Sequence, residues 1–106
     1  KEATPLSAKQ VLDCATASGA RAIGLDSVGS IIPGRRADLI LIDMNQPHLV
    51  PFYNQDILVY AASGRDVDSV IVEGRLIMHK KKILAFDVDE VIERVRKLAE
   101  HVAPAR

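Results

Sequence analysis

Three histidines, one cysteine and a scatter of carboxylates are the side chains of this 106-residue sequence that could hold a metal, move a proton or attack an electrophile. None of His48, His79 and His101 stands at the His-x-His or i, i+4 spacing that brings two imidazoles onto one ion. His101 falls near the end of a helical pattern, where the helix dipole favours positive charge, and all three read as surface or capping residues. Cys14 lies in an Ala-rich stretch with no histidine close in sequence to activate it, so it reads as a small hydrophobe. The carboxylates have structural posts: Asp38 and Asp43 bracket an apolar run, Asp66 and Asp68 flank the entry to another, and Asp87 and Asp89 open a helix. Gly19, Gly24, Gly29 and Gly34 recur every five residues but lack the strand, Gly-rich turn and Lys-Ser/Thr of a nucleotide cradle. Arg35-Arg36 and Lys80-Lys81-Lys82 are too short to line a groove and read as solvated turn residues. Taken alone, these residues assign no catalytic, cofactor-binding or metal-ligating position.

Composition narrows the function classes further. Of the residues, 48% are hydrophobic and only 4% aromatic, so any core must be aliphatic. Fourteen basic side chains balance 14 acidic ones, which argues against a nucleic-acid surface with its positive footprint. One cysteine excludes an internal disulfide and a Cys-rich zinc site. No apolar run approaches the ~20 residues of a membrane span, and no basic-then-apolar leader opens the chain, so the expectation is a soluble, cytoplasmic protein. The chain starts at Lys1, and its first methionine is Met44, which reads as a piece of a longer polypeptide.

The elements that must position these side chains follow from local signals. From Pro5 the pattern is helical, with Ser7 as N-cap and Gln10 three residues on completing a capping box. Gly19 is expected to interrupt this helix, and a second short one over Ala20–Ile23 should end at Gly24 in a left-handed cap. Pro33-Gly34 has the chemistry of a type II turn. Leu39–Ile42 is a continuous apolar run of strand length, read as buried on both faces. Pro47 and Pro51 mark a loop, and Asp56 is expected to cap a short helix reaching Ala62. Val67–Val72, Leu76–Met78 and Ile83–Leu84 read as a strand meander broken at Glu73-Gly74 and Lys80-Lys81. The clearest element is the last helix: Asp87 caps it, Val88, Val91, Ile92, Val95, Leu98, Ala99 and Val102 share a face, and Glu93, Arg94, Arg96, Lys97 and Glu100 oppose them.

Two stretches carry a family resemblance. Ala15–Leu25 (ATASGARAIGL) followed by Gly29–Asp43 (GSIIPGRRADLILID) resembles the C-terminal signature of metal-dependent amidohydrolases. Pro47-His48-Leu49, Leu58–Gly64 (LVYAASG) and Asp66–Gly74 (DVDSVIVEG) resemble the branch of 5-methylthioadenosine/S-adenosylhomocysteine deaminases and related chlorohydrolases. The likeness covers about residues 5 to 100.

In such proteins a (β/α)8 barrel carries the chemistry, and a small β-sandwich is assembled from the first and last parts of the chain. The resemblance therefore implies an α/β parent and, for this chain, an α+β piece. Residues 1–28 would be closing helices of the barrel, 29–86 the C-terminal half of the composite sandwich, and 87–106 a C-terminal helix packed back on the body. It implies zinc or another divalent metal in the parent enzyme, activating water to displace an amino group or halide from a heteroaromatic ring. The family's metal ligands, a His-x-His pair, two more histidines and an aspartate, match nothing in this sequence, so this segment is expected to be structural and to bind no cofactor. Implied partners are the remainder of its own parent chain, a purine nucleoside or related heterocycle as the parent's substrate, and further copies in a homo-oligomer, with neither nucleic acid nor membrane.

One departure concerns the last hairpin, where the family commonly has Asp-Gly. Lys80-Lys81 accepts positive φ poorly, so a longer or looser turn is expected there. A second reading of the whole chain is an autonomous α+β scaffold or interaction domain without catalysis. If the chain is instead a half-sandwich without its partner strands, open apolar edges should make it self-associate.

Overall fold

The computed structural model describes residues 6–102. The chain is α+β: helices α1 (Ala8–Ala15) and α2 (Ala17–Ala22), strand β1 (Leu39–Ile42), helix α3 (Asp56–Tyr60), strands β2 (Val67–Val72), β3 (Arg75–His79) and β4 (Lys82–Ile83), and helix α4 (Val88–Val102). Pro5 and residues 103–106, where the first helical pattern opens and the last segment ends, lie outside the described residues.

The capping box at the start of α1 forms as expected. Gln10 N–H donates to Ser7 Oγ at 3.2 Å, and Ser7 N–H donates to Gln10 Oε1 at 2.8 Å. The break in the helix pair falls at Thr16, not at Gly19, which sits inside α2. Thr16 leaves the helical region at φ −124°, ψ −101°, and its hydroxyl donates back to Leu12 O at 2.8 Å. Gly19 serves close approach instead, since a Cβ there would run into the Cys14 carbonyl oxygen. At the end of α2, Gly24 adopts φ +83°, with Gly24 N–H bonded to Arg21 O at 3.0 Å and Leu25 N–H to Ala20 O at 2.8 Å, the paired bonds of a Schellman motif. Pro33-Gly34 forms its type II turn, closed by Arg35 N–H to Ile32 O at 3.0 Å. Asp56 does not cap α3 but begins it, and its N–H is taken by Asn54 Oδ1 at 2.9 Å.

The four strands form one antiparallel sheet in the order β1-β2-β3-β4. Leu39 lies opposite Ile71 and Leu41 opposite Ser69, while Val72 pairs with Arg75 and His79 with Lys82. That register leaves only two residues for each hairpin turn. Glu73-Gly74 (φ 49° and 76°) and Lys80-Lys81 (φ 47° and 67°) both adopt the left-handed conformations of a type I′ turn. The last hairpin is therefore tight, not the looser turn expected from its two lysines. Strand twist selects the primed turn, and holding lysine there costs about 1–2 kcal/mol per residue. Local bonds offset that cost: Lys81 N–H donates to Asp68 O at 2.8 Å, and Lys81 Nζ donates to the carbonyls of Arg65 and Val67.

Burial is where the structure departs most from the sequence expectation. β1 is an edge strand, and Ile40 and Leu41 are 56% and 54% exposed rather than covered on both faces. On α4 the apolar side is also open, with Leu98 62% and Val102 80% exposed, although Asp87 caps the helix by accepting from Glu90 N–H at 3.2 Å. The radius of gyration is 18.5 Å. A compact chain of this length would have about 13 Å. Residues 6–102 thus make well-formed elements without the second layer their aliphatic faces require.

The two hairpin turns separate backbone strain from side-chain loss. Lys80→Asn, which suits the left-handed position and removes no side-chain contact among those described, should raise stability by about 0.5–1 kcal/mol. Gly74→Ala, with open space around its added Cβ, should lower it by about 1 kcal/mol through φ alone. Thermal or urea unfolding of the two variants checks both signs.

Candidate functional site

The long connection from β1 to β2 returns to the sheet at Asp66, and the polar chemistry of the chain gathers there. Ser63, Gly64 and Arg65 wind a 3-10 turn into Asp66, whose N–H donates to Ser63 O at 3.0 Å. Asp66 O accepts from Asp43 N–H at 2.8 Å, which ties the end of β1 to the start of β2. The Asp66 side chain points inward and is 4% exposed. A buried carboxylate needs partners, and this one has them. His48 Nε2 donates to both carboxylate oxygens at 2.9 Å, and Ser63 N–H donates to Oδ2 at 2.9 Å.

These bonds set the charge state of the pair. The His48 imidazole first, and the Ser63 N–H second, hold the Asp66 carboxyl below the ordinary aspartate value of 3.8 against the opposing effect of burial, with the Lys81 ammonium adding a smaller pull in the same direction. His48 itself is 47% exposed in its side chain. It sits in a 3-10 turn, Pro47–Leu49, that Pro47 opens and that buries Leu49 completely. The expected surface reading of His48 therefore captures its open side and misses its buried partner.

A second polar cluster lies further along β2. Ser69 is fully buried, its hydroxyl donates to Asp68 Oδ2 at 2.8 Å, His79 Nδ1 stands 3.3 Å from Ser69 Oγ, and Lys80 N–H donates to Ser69 Oγ at 3.4 Å. The residue types are those of an acyl-transfer triad, but the wiring is different. In such a triad the histidine lies between acid and serine, and the serine faces substrate. Here the acid bonds the serine directly, and Ser69 has no exposed surface, so the cluster organises the β2–β3 hairpin and performs no nucleophilic chemistry.

The other candidates fall apart spatially or into structural roles. Asp38 Oδ1 accepts from Glu73 N–H at 2.7 Å, and Asp43 accepts from Asn45 N–H and Gln46 Nε2 at 2.9 and 2.8 Å. Arg36 pairs with Glu73 at 3.2 Å on the surface, and Arg35 donates to Asp26 O. His101 occupies the last turn of α4, and Cys14 is exposed on α1. Among the described residues no group of three or more His, Cys, Asp or Glu side chains is placed to hold a metal ion, so the donor set of a divalent-metal site is not met by these residues. No helix among them is long and apolar enough to cross a membrane.

The sequence profile of the amidohydrolase family matches residues 1–77. The chain belongs to the amidohydrolase family. This amidohydrolase chain is 48% identical over 103 residues to a 5-methylthioadenosine/S-adenosylhomocysteine deaminase of Syntrophobacter fumaroxidans, covering 95% of the chain and 24% of that protein. It is 42% identical over 100 residues to a 5'-deoxyadenosine deaminase of Methanosarcina acetivorans, covering 93% of the chain and 23% of that relative. Its fold superposes on the crystal structure of a zinc-bound adenosine deaminase from Xanthomonas campestris with a TM-score of 0.84 at 30% identity, over 95% of this chain and 24% of that one. An atrazine chlorohydrolase from Arthrobacter aurescens, crystallised with zinc, shares the fold at a TM-score of 0.78 and 22% identity, over 88% of this chain and 21% of that one. The amidohydrolase chain thus spans about a quarter of the length of the curated relatives it matches.

Leu49 is the largest fully buried apolar side chain and sits beside His48. Leu49→Ala should therefore destabilise the amidohydrolase chain by about 2–5 kcal/mol, the cost of a core cavity. A comparable truncation at exposed Val102 should stay within about 0.5 kcal/mol. Urea denaturation of the two variants side by side reads the difference.

Proposed function

We propose that this chain is the C-terminal, structural portion of a zinc-dependent aminohydrolase that removes the amino group from an adenosine derivative. The observation that carries the reading is the 48% identity to a 5-methylthioadenosine/S-adenosylhomocysteine deaminase over 95% of the chain. The elements divide accordingly. Residues 1–28 act as closing helices of a (β/α)8 barrel, 29–86 as half of a composite β-sandwich, and 87–106 as a helix packed on the parent body. The open faces of β1 and α4 support this division, because they suit surfaces that an adjoining layer covers.

In the parent enzyme a divalent metal supplies an activated water for attack on the heteroaromatic ring. The residues of this chain contribute position instead. The tight α1–α2 pair, the type II turn before β1 and the bonded return at Asp66 fix the outer wall against which the catalytic portion is held. Other copies of the parent chain complete a homo-oligomer.

The test is paired. A polypeptide extended to the full length of the relatives should bind zinc, release ammonia from 5-methylthioadenosine, S-adenosylhomocysteine or 5'-deoxyadenosine, and lose that activity on chelation. The 106-residue chain alone should show neither stoichiometric zinc nor turnover. Zinc or ammonia release from the short chain would overturn the structural reading. Halide release from a chlorinated triazine by the extended polypeptide, without ammonia from any nucleoside, would move the substrate class to the chlorohydrolases.

A further inference from the structure

The connection between β1 and β2 spans residues 43–66, yet its attachment is sparse. Among the described residues, the hydrogen bonds that link residues 44–60 to the far end of this connection come from one side chain, His48, and reach one acceptor group, the Asp66 carboxylate. The remaining bonds of that stretch close local turns, such as Leu49 N–H to Gln46 O at 2.9 Å and Ala61 N–H to Ile57 O at 2.9 Å. The same turn seats Leu49, and further along the connection α3 packs against α1, so the stretch that carries exposed Val50, Phe52 and Tyr53 is held at its Pro47–Leu49 end by one polar contact and one apolar plug. We propose that His48 and Asp66 form an acid-operated latch that pins the Pro47–Leu49 turn to the start of β2 and opens when the Asp66 carboxylate is protonated.

The chemistry of the carboxylate sets the trigger. Both bonds of the latch need Asp66 as an acceptor, and the ionised carboxylate offers two oxygens and a full charge to the His48 Nε2 and Ser63 N–H donors. Protonating Asp66 leaves fewer acceptor sites for both donors and removes the charge that strengthens both bonds.

The surroundings of Asp66 favour the closed state. Lys81, from the β3–β4 turn, is the cation beside it, held over the carbonyls of Arg65 and Val67. From β1, Asp43 presents its backbone N–H to the Asp66 carbonyl, while its own carboxylate is occupied by Asn45 and Gln46. From β2, the Asp68 carboxylate is occupied by Ser69, whose hydroxyl also faces His79. The direction of the linkage follows: with Asp66 held below its ordinary 3.8, its stabilising contribution is complete above that value and disappears as pH falls through the lower, folded-state value.

Amide hydrogen exchange on the full polypeptide tests the latch, with Leu49 N–H as the reporter and the Val70 and Ile71 amides of β2 as the reference. After correction for intrinsic rates, Leu49 protection should hold just above the ordinary aspartate value. It should then fall by about tenfold or more below the aspartate range while the β2 amides hold, as expected for losing a charge-assisted bond. His48→Ala, at a half-exposed position that tolerates truncation, should lower Leu49 protection above the aspartate range to the level of the acid state and abolish the acid step. Asp66→Asn should do the same wherever it folds. The latch is overturned if His48→Ala leaves the acid step intact, or if Leu49 and β2 lose protection together. These outcomes do not depend on whether the parent deaminates a nucleoside.

Discussion

A single four-stranded sheet cannot bury two faces, and the strands of this chain are apolar on both. Leu39 and Leu41 alternate with Ile40 and Ile42 along β1, and β2 sets Val70 and Val72 against Ile71. Strands of that kind belong between layers. The α1–α2 pair leaves Leu25, Ile31 and Ile32 exposed, and α4 offers its apolar stripe to nothing among the described residues. Hydrophobic burial is the main term that offsets backbone entropy, about 1–2 kcal/mol per ordered residue. Elements with so little buried surface of their own have little of that term to draw on. The extended dimensions, 56 × 39 × 31 Å, express the same shortage. The amidohydrolase chain is about a quarter as long as the curated relatives it matches.

What was legible in the residues was what is decided within one turn of chain. The Ser7–Gln10 box, the Gly24 cap, the Pro33-Gly34 turn, the strands and α4 each rest on side chains three or four positions apart, or on a φ that one residue type supplies. The helix break was misplaced because Gly19 carries two opposing signals. It lowers helix propensity, but it also permits the close approach to Cys14 that an alanine would block. Thr16, which does break the helix, is crowded from outside by Gly29, where an added Cβ would come within 2.7 Å of Ala17 Cα. A contact thirteen residues away along the chain leaves no mark on local periodicity.

The Lys80-Lys81 turn failed for a related reason. Propensity describes the turn residues, whereas the register of β3 on β2 and β4 on β3 determines how many residues the turn contains. Once His79 pairs with Lys82, two residues remain and their φ values follow. The energetic conflict is then settled by bonds made elsewhere, chiefly from Lys81 to the carbonyls that precede and open β2. A local rule lost to a nonlocal one at modest cost.

The same distinction separates the two polar clusters on β2. Asp68, Ser69 and His79 meet because antiparallel pairing places them together, and their bonds are spent inside the hairpin. Asp66 and His48 meet although no strand pairing requires it, across a connection otherwise held by Leu49 and by α3 against α1. Buried carboxylates are costly unless satisfied, so a fold that places one at a junction depends on the partner that satisfies it. Caps and turn roles account for the other aspartates within their own elements, and a reading built on those roles had no reason to set Asp66 apart. Its environment does so: it is the aspartate whose side chain is buried, whose acceptors are filled from a distant turn and whose carbonyl closes the sheet at Asp43. The long connection is thus held by this junction together with the buried Leu49 and the packing of α3 on α1.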